Sequence, residues 1–376
     1  MTRPCMSYWH LLARISQASS SRGAANGPGS KAREGRTTEA YSKYVEKVRP
    51  SATPETGPFP APQQRGHEKG GLGAAAWRPA RSALAAAAAL ALAGCSLRTV
   101  AVNRLGDALA QGNSVYARDN DPELVWQAVP FGLKTIESLL AQSPRHRGLL
   151  FAAASGFTEY AYGALQQEAD FLESKDLARA TELRNRARNL YLRALDYGFR
   201  GLEVDLPDLR NRLRSDPAHA LDRATRQQVP LLYWTAAAWG AAIAISKDNA
   251  ELSADQSRAE ALMRRALALD ESFESGAIHD FFIAYEGGRA AVGGSLDAAR
   301  KHLQRSLELS RGTRASPLVT FAETVSVARQ DKAEFKKLLD QALAIDPEKV
   351  PEARLANLLA QRRARWLLGR TEELFV

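Results

Sequence analysis

From residue 98 onward, apolar and polar positions recur with a helical period almost without interruption, and no stretch alternates with the period of two that a strand needs. The pattern predicts helices over 98–112, 122–142, 145–170, 175–197, 200–213, 217–226, 229–246, 252–269, 274–288, 295–309, 317–329, 331–344 and 351–368. Asn120-Asp121-Pro122-Glu123 sets a cap and a first-turn proline before Leu124, and Ser143-Pro144, Asp216-Pro217, Ser316-Pro317 and Val350-Pro351 give similar starts. The connections are short, so successive helices should pack antiparallel.

Several helices end alike: Arg193-Ala-Leu-Asp196, Arg265-Ala-Leu-Ala-Leu-Asp270, Arg305-Ser-Leu-Glu-Leu-Ser310 and Gln341-Ala-Leu-Ala-Ile-Asp-Pro347. The shared leucines fall at 195, 267, 307 and 343, spaced by one or two units of about 36, near the 34-residue tetratricopeptide period. Ala194, Ala266, Ser306 and Ala342 precede them, and a small residue there lets neighbouring helices approach closely. The expected fold is all-α, a superhelical stack of degenerate tetratricopeptide-like helical hairpins. An irregular helical bundle is the alternative.

One apolar run breaks the amphipathic pattern. Arg78-Pro-Ala-Arg81 is followed by an uncharged, alanine-rich stretch from Ser82 to Ala93, then by Gly94-Cys95. A positive region, a short apolar stretch and a small-residue boundary describe a secretory signal, and a dozen residues are too few to span a bilayer. Leu92-Ala93-Gly94-Cys95 resembles the bacterial lipobox, which makes Cys95 the expected lipid attachment site and first residue of the mature chain. The residue after the cysteine is Ser96 and not Asp, which by resemblance to lipoprotein sorting in Gram-negative bacteria implies the periplasmic face of the outer membrane. The expected division is therefore 76–94 as signal peptide and 95–376 as the helical domain. Residues 1–75, with 7 of the 17 prolines, read as a disordered extension or as sequence upstream of a start at Leu72 or Val48.

Charge adds little to this picture once it is located. The chain of 376 residues carries a net +9, but residues 1–94 hold 13 Lys+Arg against 5 Asp+Glu, and residues 95–376 hold 38 against 37. The basicity belongs to the leader, and the helical domain has no global attraction for nucleic acid. Cys5 lies in the leader, so the mature chain has no second cysteine for a disulfide.

Catalytic patterns are missing. His146, His219, His279 and His302 make no HExxH or HxH pairing, so no metal is expected. No GxSxG elbow occurs, and Gly287-Gly288 with Gly293-Gly294 lacks the lysine and the preceding strand of a phosphate loop. Asp280 and Glu286, beside Tyr285, are the carboxylates best placed to line a pocket; a solvated helix face is the plainer reading. The chain reads as a non-enzyme without cofactor. Aromatic clusters are the better lead. Tyr160 and Tyr162, then Tyr233, Trp234 and Trp239, then Phe282 and Tyr285 stand on small-residue-rich helices, where they either fill the core or wall a ligand cleft.

Taken in order, these segments resemble a known family, the TatT component of tripartite ATP-independent periplasmic (TRAP) transporters. The resemblance is carried by Leu92–Cys95, Tyr233-Trp-Thr-Ala-Ala-Ala-Trp-Gly240, Met263–Glu271, Gly293–Arg300, His302–Gly312, Asp331–Leu339, Arg354–Gln361 and Ala364–Leu368. It implies a lipid-anchored homotrimer of degenerate tetratricopeptide-like hairpins. It further implies a periplasmic substrate-binding protein as partner and a small hydrophobic ligand held or passed on through a cleft. It supplies no catalytic residue. A general envelope scaffold lipoprotein is the other function compatible with the residues, and an envelope hydrolase survives only if a pair of acids faces a cleft.

Overall fold

The structure is a computed structural model that describes residues 103–108, 113–246, 248–289 and 293–375, so the leader, Cys95 and the signal segment lie outside the described residues. Every regular element among these residues is helical. The longer ones are α1 (Pro122–Gln142), α2 (Arg147–Tyr160), α3 (Leu177–Leu202), α4 (Val229–Ala244) and α5 (Gln256–Leu269). They continue as α6 (Ala277–Gly287), α7 (Leu296–Leu309), α8 (Ser316–Phe321), α9 (Lys332–Leu343) and α10 (Arg354–Gly369). Two of them run on through a π-turn: α2 through Ala161–Gln166 into Gln167–Leu172, and α8 through Ala322–Ser326.

The starts follow the local chemistry. Asp121 accepts the Leu124 amide at 3.0 Å, with Pro122 in the first turn, and Asp176, Ser295 and Asp331 cap α3, α7 and α9 in the same way. Successive helices pack as pairs, α2 with α3, α4 with α5, α6 with α7 and α8 with α9. Within each pair the first helix is apolar nearly all round and buried, and the second is amphipathic. Ala194, Ala266, Ser306 and Ala342, the small residues of the recurring tail, all stand on the second helices with no accessible surface, while the leucines that follow them are half-buried.

Two expected elements are not found. The chain over 217–226 forms turns instead of a helix, because Leu221 and Ala224 anchor it in the core and Arg265 takes the carbonyl oxygens of Asp222 and Ala224 at 3.1 and 2.7 Å. The break expected between 197 and 200 is likewise absent: α3 runs through Gly198 and Gly201 to Leu202. Both glycines serve packing. A Cβ on Gly198 would run into the Thr235 hydroxyl with the Thr235 Cα 3.2 Å away, and one on Gly201 would lie 2.8 Å from a Leu231 methyl.

The pairs do not end in free space. The last long helix, α10, packs on α1, and Phe171 meets Trp366 at 5.3 Å between ring centres. Arg354 reaches the Arg118 carbonyl oxygen at 2.6 Å, and Arg362 pairs with Glu168 at 3.2 Å. Nothing in the sequence pattern announces this return.

Gly198→Ala is expected to lower stability by about 1–3 kcal/mol through overpacking against α4. Gly369→Ala, where a Cβ meets nothing within 4 Å, should instead raise it by about 0.5–1 kcal/mol. Urea titrations of the two variants check the contrast.

Candidate functional site

The inner helices are buried save for narrow stripes, and those stripes carry the polar and aromatic groups. On α4 the half-buried positions are Pro230, Tyr233, Trp234 and Ala237, at helical spacing. On α6 every residue is buried except Asp280, which is half-buried. At the end of α2 Glu159 keeps exposed surface, and Tyr162 follows three residues later at 36% exposure. Before α6 the turn Phe273–Ser275 delivers Glu274 to the same region. Its backbone is left-handed over three successive residues, Glu274 (φ 45°), Ser275 (φ 55°) and Gly276 (φ 92°). Only the glycine adopts that conformation without strain. Arg314 steadies the turn by donating to the Ser275 carbonyl oxygen at 3.4 Å.

These groups sense one another. Burial, and then the charge of Glu274, push the Glu159 carboxyl up to about 8. Glu159 keeps accessible surface all the same, and with its neighbours it makes up a partly exposed polar and aromatic wall. Glu274 is raised by burial too, against the opposing charge of Arg314 and the Trp234 indole. Burial also raises the Tyr233 hydroxyl, which feels Glu274, Arg314, Asp280 and Glu159 in turn. The Tyr233 ring lies 5.1 Å from Trp234 and 5.2 Å from Phe273. The Trp234 Nε1 hydrogen is buried and finds no acceptor within hydrogen-bond geometry, although it lies near enough to Glu274 to favour its charge. Arg314 is committed elsewhere: it pairs with Asp280 at 2.7 Å, and Asp280 also accepts from Ser306 and Ser316.

A second polar group lies at the closure of α10 on the α2 extension. Arg363, 3% exposed, bridges Asp170 at 2.9 Å and Glu323 at 2.7 Å. Arg184 takes the other Asp170 oxygen at 3.0 Å and Glu173 at 3.0 Å. Burial by itself favours loss of the Arg363 proton, but the two carboxylates outweigh it and hold the guanidinium charged. Glu323 lies within one π-turn and Asp170 just beyond the other, and such turns insert a residue and re-aim side chains at functional positions. Tyr162 belongs to this second group: burial raises its hydroxyl, and Arg363, Glu323 and Asp170 act on it.

Of the aromatic residues singled out in the sequence, Tyr233 and Trp234 stand together on the partly exposed wall near Glu274, and Tyr162 lies with the Arg363 group. Tyr160 is half-buried edge-on to Trp126, ring centres 6.4 Å apart. Trp239, Phe282 and Tyr285 are core side chains. Trp239 packs edge-on to Phe199, Phe282 is closed in by His302 and Arg264, and Tyr285 donates to Glu260. They share helices with the wall residues but point to the opposite side, a distinction that depends on which face of each helix is inward. Asp280 joins the wall group as an ion-pair acceptor, and Glu286 accepts the Ser295 amide ahead of α7. Glu159, Glu274, Arg314, Asp170, Glu323 and Arg363 were not foreseen. Two had a signal: Glu159 is the one charged residue between Arg147 and Glu168, and Glu323 the one between Arg314 and Arg329. Among the described residues no cluster of three metal-ligating side chains occurs, and no helix is long and apolar enough to cross a membrane.

Comparison with known proteins adds a family. A family model described as TRAP transporter T-component matches residues 118–375. An uncharacterised protein of Treponema pallidum (strain Nichols) is 30% identical over 309 residues, covering 77% of this chain and 96% of its own length.

Two outcomes are expected. Arg363→Ala strands the buried Glu323 carboxylate and leaves Asp170 to Arg184, and should cost about 3–5 kcal/mol in chemical unfolding. For Glu159, the unfolded carboxyl ionises near 4.5 and the folded one near 8, so stability falls as pH rises through that window and levels off above it. Melting temperatures from pH 5 to 9 should therefore decline less for Glu159→Gln than for the unaltered chain; parallel profiles would count against the enclosed setting of this carboxyl.

Proposed function

The chain belongs to the TRAP transporter T-component family, and from that premise we propose that it is a non-catalytic accessory protein of such a transporter. In this reading it docks a periplasmic substrate-binding protein and holds a small, partly apolar ligand in transit. The family match over residues 118–375 carries the proposal. The aromatic and carboxyl-lined concavity supports the ligand role, since a cleft of mixed apolar walls and few polar groups suits a small molecule. On α1, Leu124, Ala128 and Phe131 are exposed at spacings of four and three residues. An apolar stripe of this kind supports association with another protein chain.

The finer points belong to the same proposal. The hairpins α2–α3, α4–α5, α6–α7 and α8–α9 are degenerate tetratricopeptide-like units. The protein is anchored through acylated Cys95 at the periplasmic face of the outer membrane and works as a homotrimer that aligns its concavity with that of the binding protein.

The test is affinity capture from periplasmic extract with the chain from Ser96 onward, tagged at its C-terminus, with light scattering to give the mass of the bait. A stoichiometric TRAP-type binding protein on a trimeric bait is the expected result. Recovery of cell-wall or outer-membrane assembly proteins in its place would favour a general scaffold and overturn the transport role.

A further inference from the structure

Two clusters of core side chains meet on α6. Phe281, Phe282 and Tyr285 belong with the buried residues of α3, α4 and α5, while Ile283 belongs with those of α7 to α10. Three polar contacts hold α7 to this side of the molecule. Ser306 donates to Asp280 at 2.6 Å, Arg305 donates to Glu271 at 3.2 Å, and His279 faces His302 with the two Nδ1 atoms 2.8 Å apart. His279 is 5% exposed, and His302 is half-buried with its ring stacked on Phe282, centres 5.1 Å apart. A bond between two Nδ1 atoms needs a hydrogen on one and a lone pair on the other. Glu271 lies 3.6 Å from the His279 Nε2, too long for a hydrogen bond but near enough to favour the hydrogen on that nitrogen. His302 Nδ1 then donates and His279 Nδ1 accepts. Two charged rings would turn N–H groups on each other at this distance, so the contact exists only while the pair lacks its second proton.

We propose that the His279–His302 pair is an acid-released latch between α6 and α7, closed near neutral pH and parted when both rings take up protons. Because α10 ties the far end of the chain back to α1 and to the α2 extension, the change is a local parting of this seam. It withdraws Ser306 from Asp280, the half-buried carboxylate that also anchors Arg314. The latch therefore governs how firmly that carboxylate and arginine are held in the wall group.

The surroundings resist the charged state. Burial holds both rings below the ordinary histidine range, and at His302 the neighbouring His279 and Arg264 add to it and bring that ring down to about 4. At His279, Glu271 and Asp280 favour the proton and Arg305 opposes it. Of the other helices packed on α6, neither α4 nor α8 carries a charged residue, and Glu323 just beyond α8 is taken by Arg363. In the parted state the rings meet water and take up protons near pH 6.5. Between about 6.5 and 4 the parted state thus holds more protons than the latched one, and acid favours parting. With two protons entering, the ratio of parted to latched molecules rises by up to about a hundredfold per pH unit.

The test pairs amide hydrogen exchange of the purified protein at pH 7 and pH 5, corrected for intrinsic exchange, with an NMR titration of the histidine ring protons. Neither readout depends on a ligand or a transport partner. The amides of α6 and α7 should lose at least about tenfold in protection at pH 5, with those of α2 and α3 unchanged. The His279 and His302 rings should stay neutral well below pH 6.5 and then charge together, more steeply than a single group. His302→Gln leaves His279 a neutral partner and removes one titrating ring, so it should lose most of the acid response. His302→Lys fixes a charge there and should show the acid pattern of exchange already at pH 7. The ring titration of the unaltered protein decides the matter even where a variant folds poorly. Rings that titrate singly near 6.5 while exchange stays unmoved would overturn the latch. So would acid loosening shared equally by α2 and α3, or a folded His302→Gln variant with an unaltered acid response.

Discussion

Arg363 joins parts of the chain that lie almost two hundred residues apart. Its guanidinium is enclosed with two carboxylates, and one of these, Asp170, is shared with Arg184. A buried charge with a single imperfect partner would be a liability, since desolvation rivals the attraction gained. Here Arg363 meets two carboxylates and Asp170 two guanidiniums, and the faces of Trp366 and Phe171 lie against the Arg363 guanidinium at 4.4 and 5.9 Å. The lattice fixes where the last long helix sits relative to the extension of α2. Tyr162, in electrostatic contact with the same network, takes its place beside it from that arrangement.

The rest of the architecture follows from a division of labour within each helical pair. The first helices are rich in alanine and glycine, which lets them approach closely: Phe281 of α6 lies where a Cβ on Gly240 of α4 would be 3.2 Å away. Such helices bury nearly everything, so the few positions they leave accessible are conspicuous. The second helices bury their small and apolar stripe against the first and present charged faces outward, where exposed ion pairs add solubility and little stability.

How much of this was legible in the residues differs by level. Helix positions came through where a cap and a periodic apolar stripe coincided and no distant contact intervened, as at Asp121-Pro122. They were misread where tertiary contacts decide: Gly198 and Gly201 look like breakers but are contact surfaces, and the 217–226 segment has its carbonyl oxygens taken by a distant arginine. The aromatic clusters pointed to α2, α4 and α6. They could not separate Tyr233 and Trp234 on the wall from Trp239 in the core, because α4 is apolar all round and offers no amphipathic cue. Arg363 and its partners were invisible for a simpler reason, since charged residues in amphipathic helices usually face water. The isolated charge of Glu159, the one charged residue among the twenty from Gly148 to Gln167, was a further clue open to reading.

A linear array of helical hairpins has two ends, and each terminal pair is held by one neighbour only, so such arrays fray and unravel stepwise. In this chain α10 is fastened to α1 and to the extension of α2, which leaves the array without a loose terminal pair. Loss of the last helix would then be felt at α1, more than two hundred residues earlier, as soon as it was felt locally. The molecule should behave as one cooperative unit, melting in a single step in place of a series, and a truncation of a few dozen residues at the C-terminus would act on the whole.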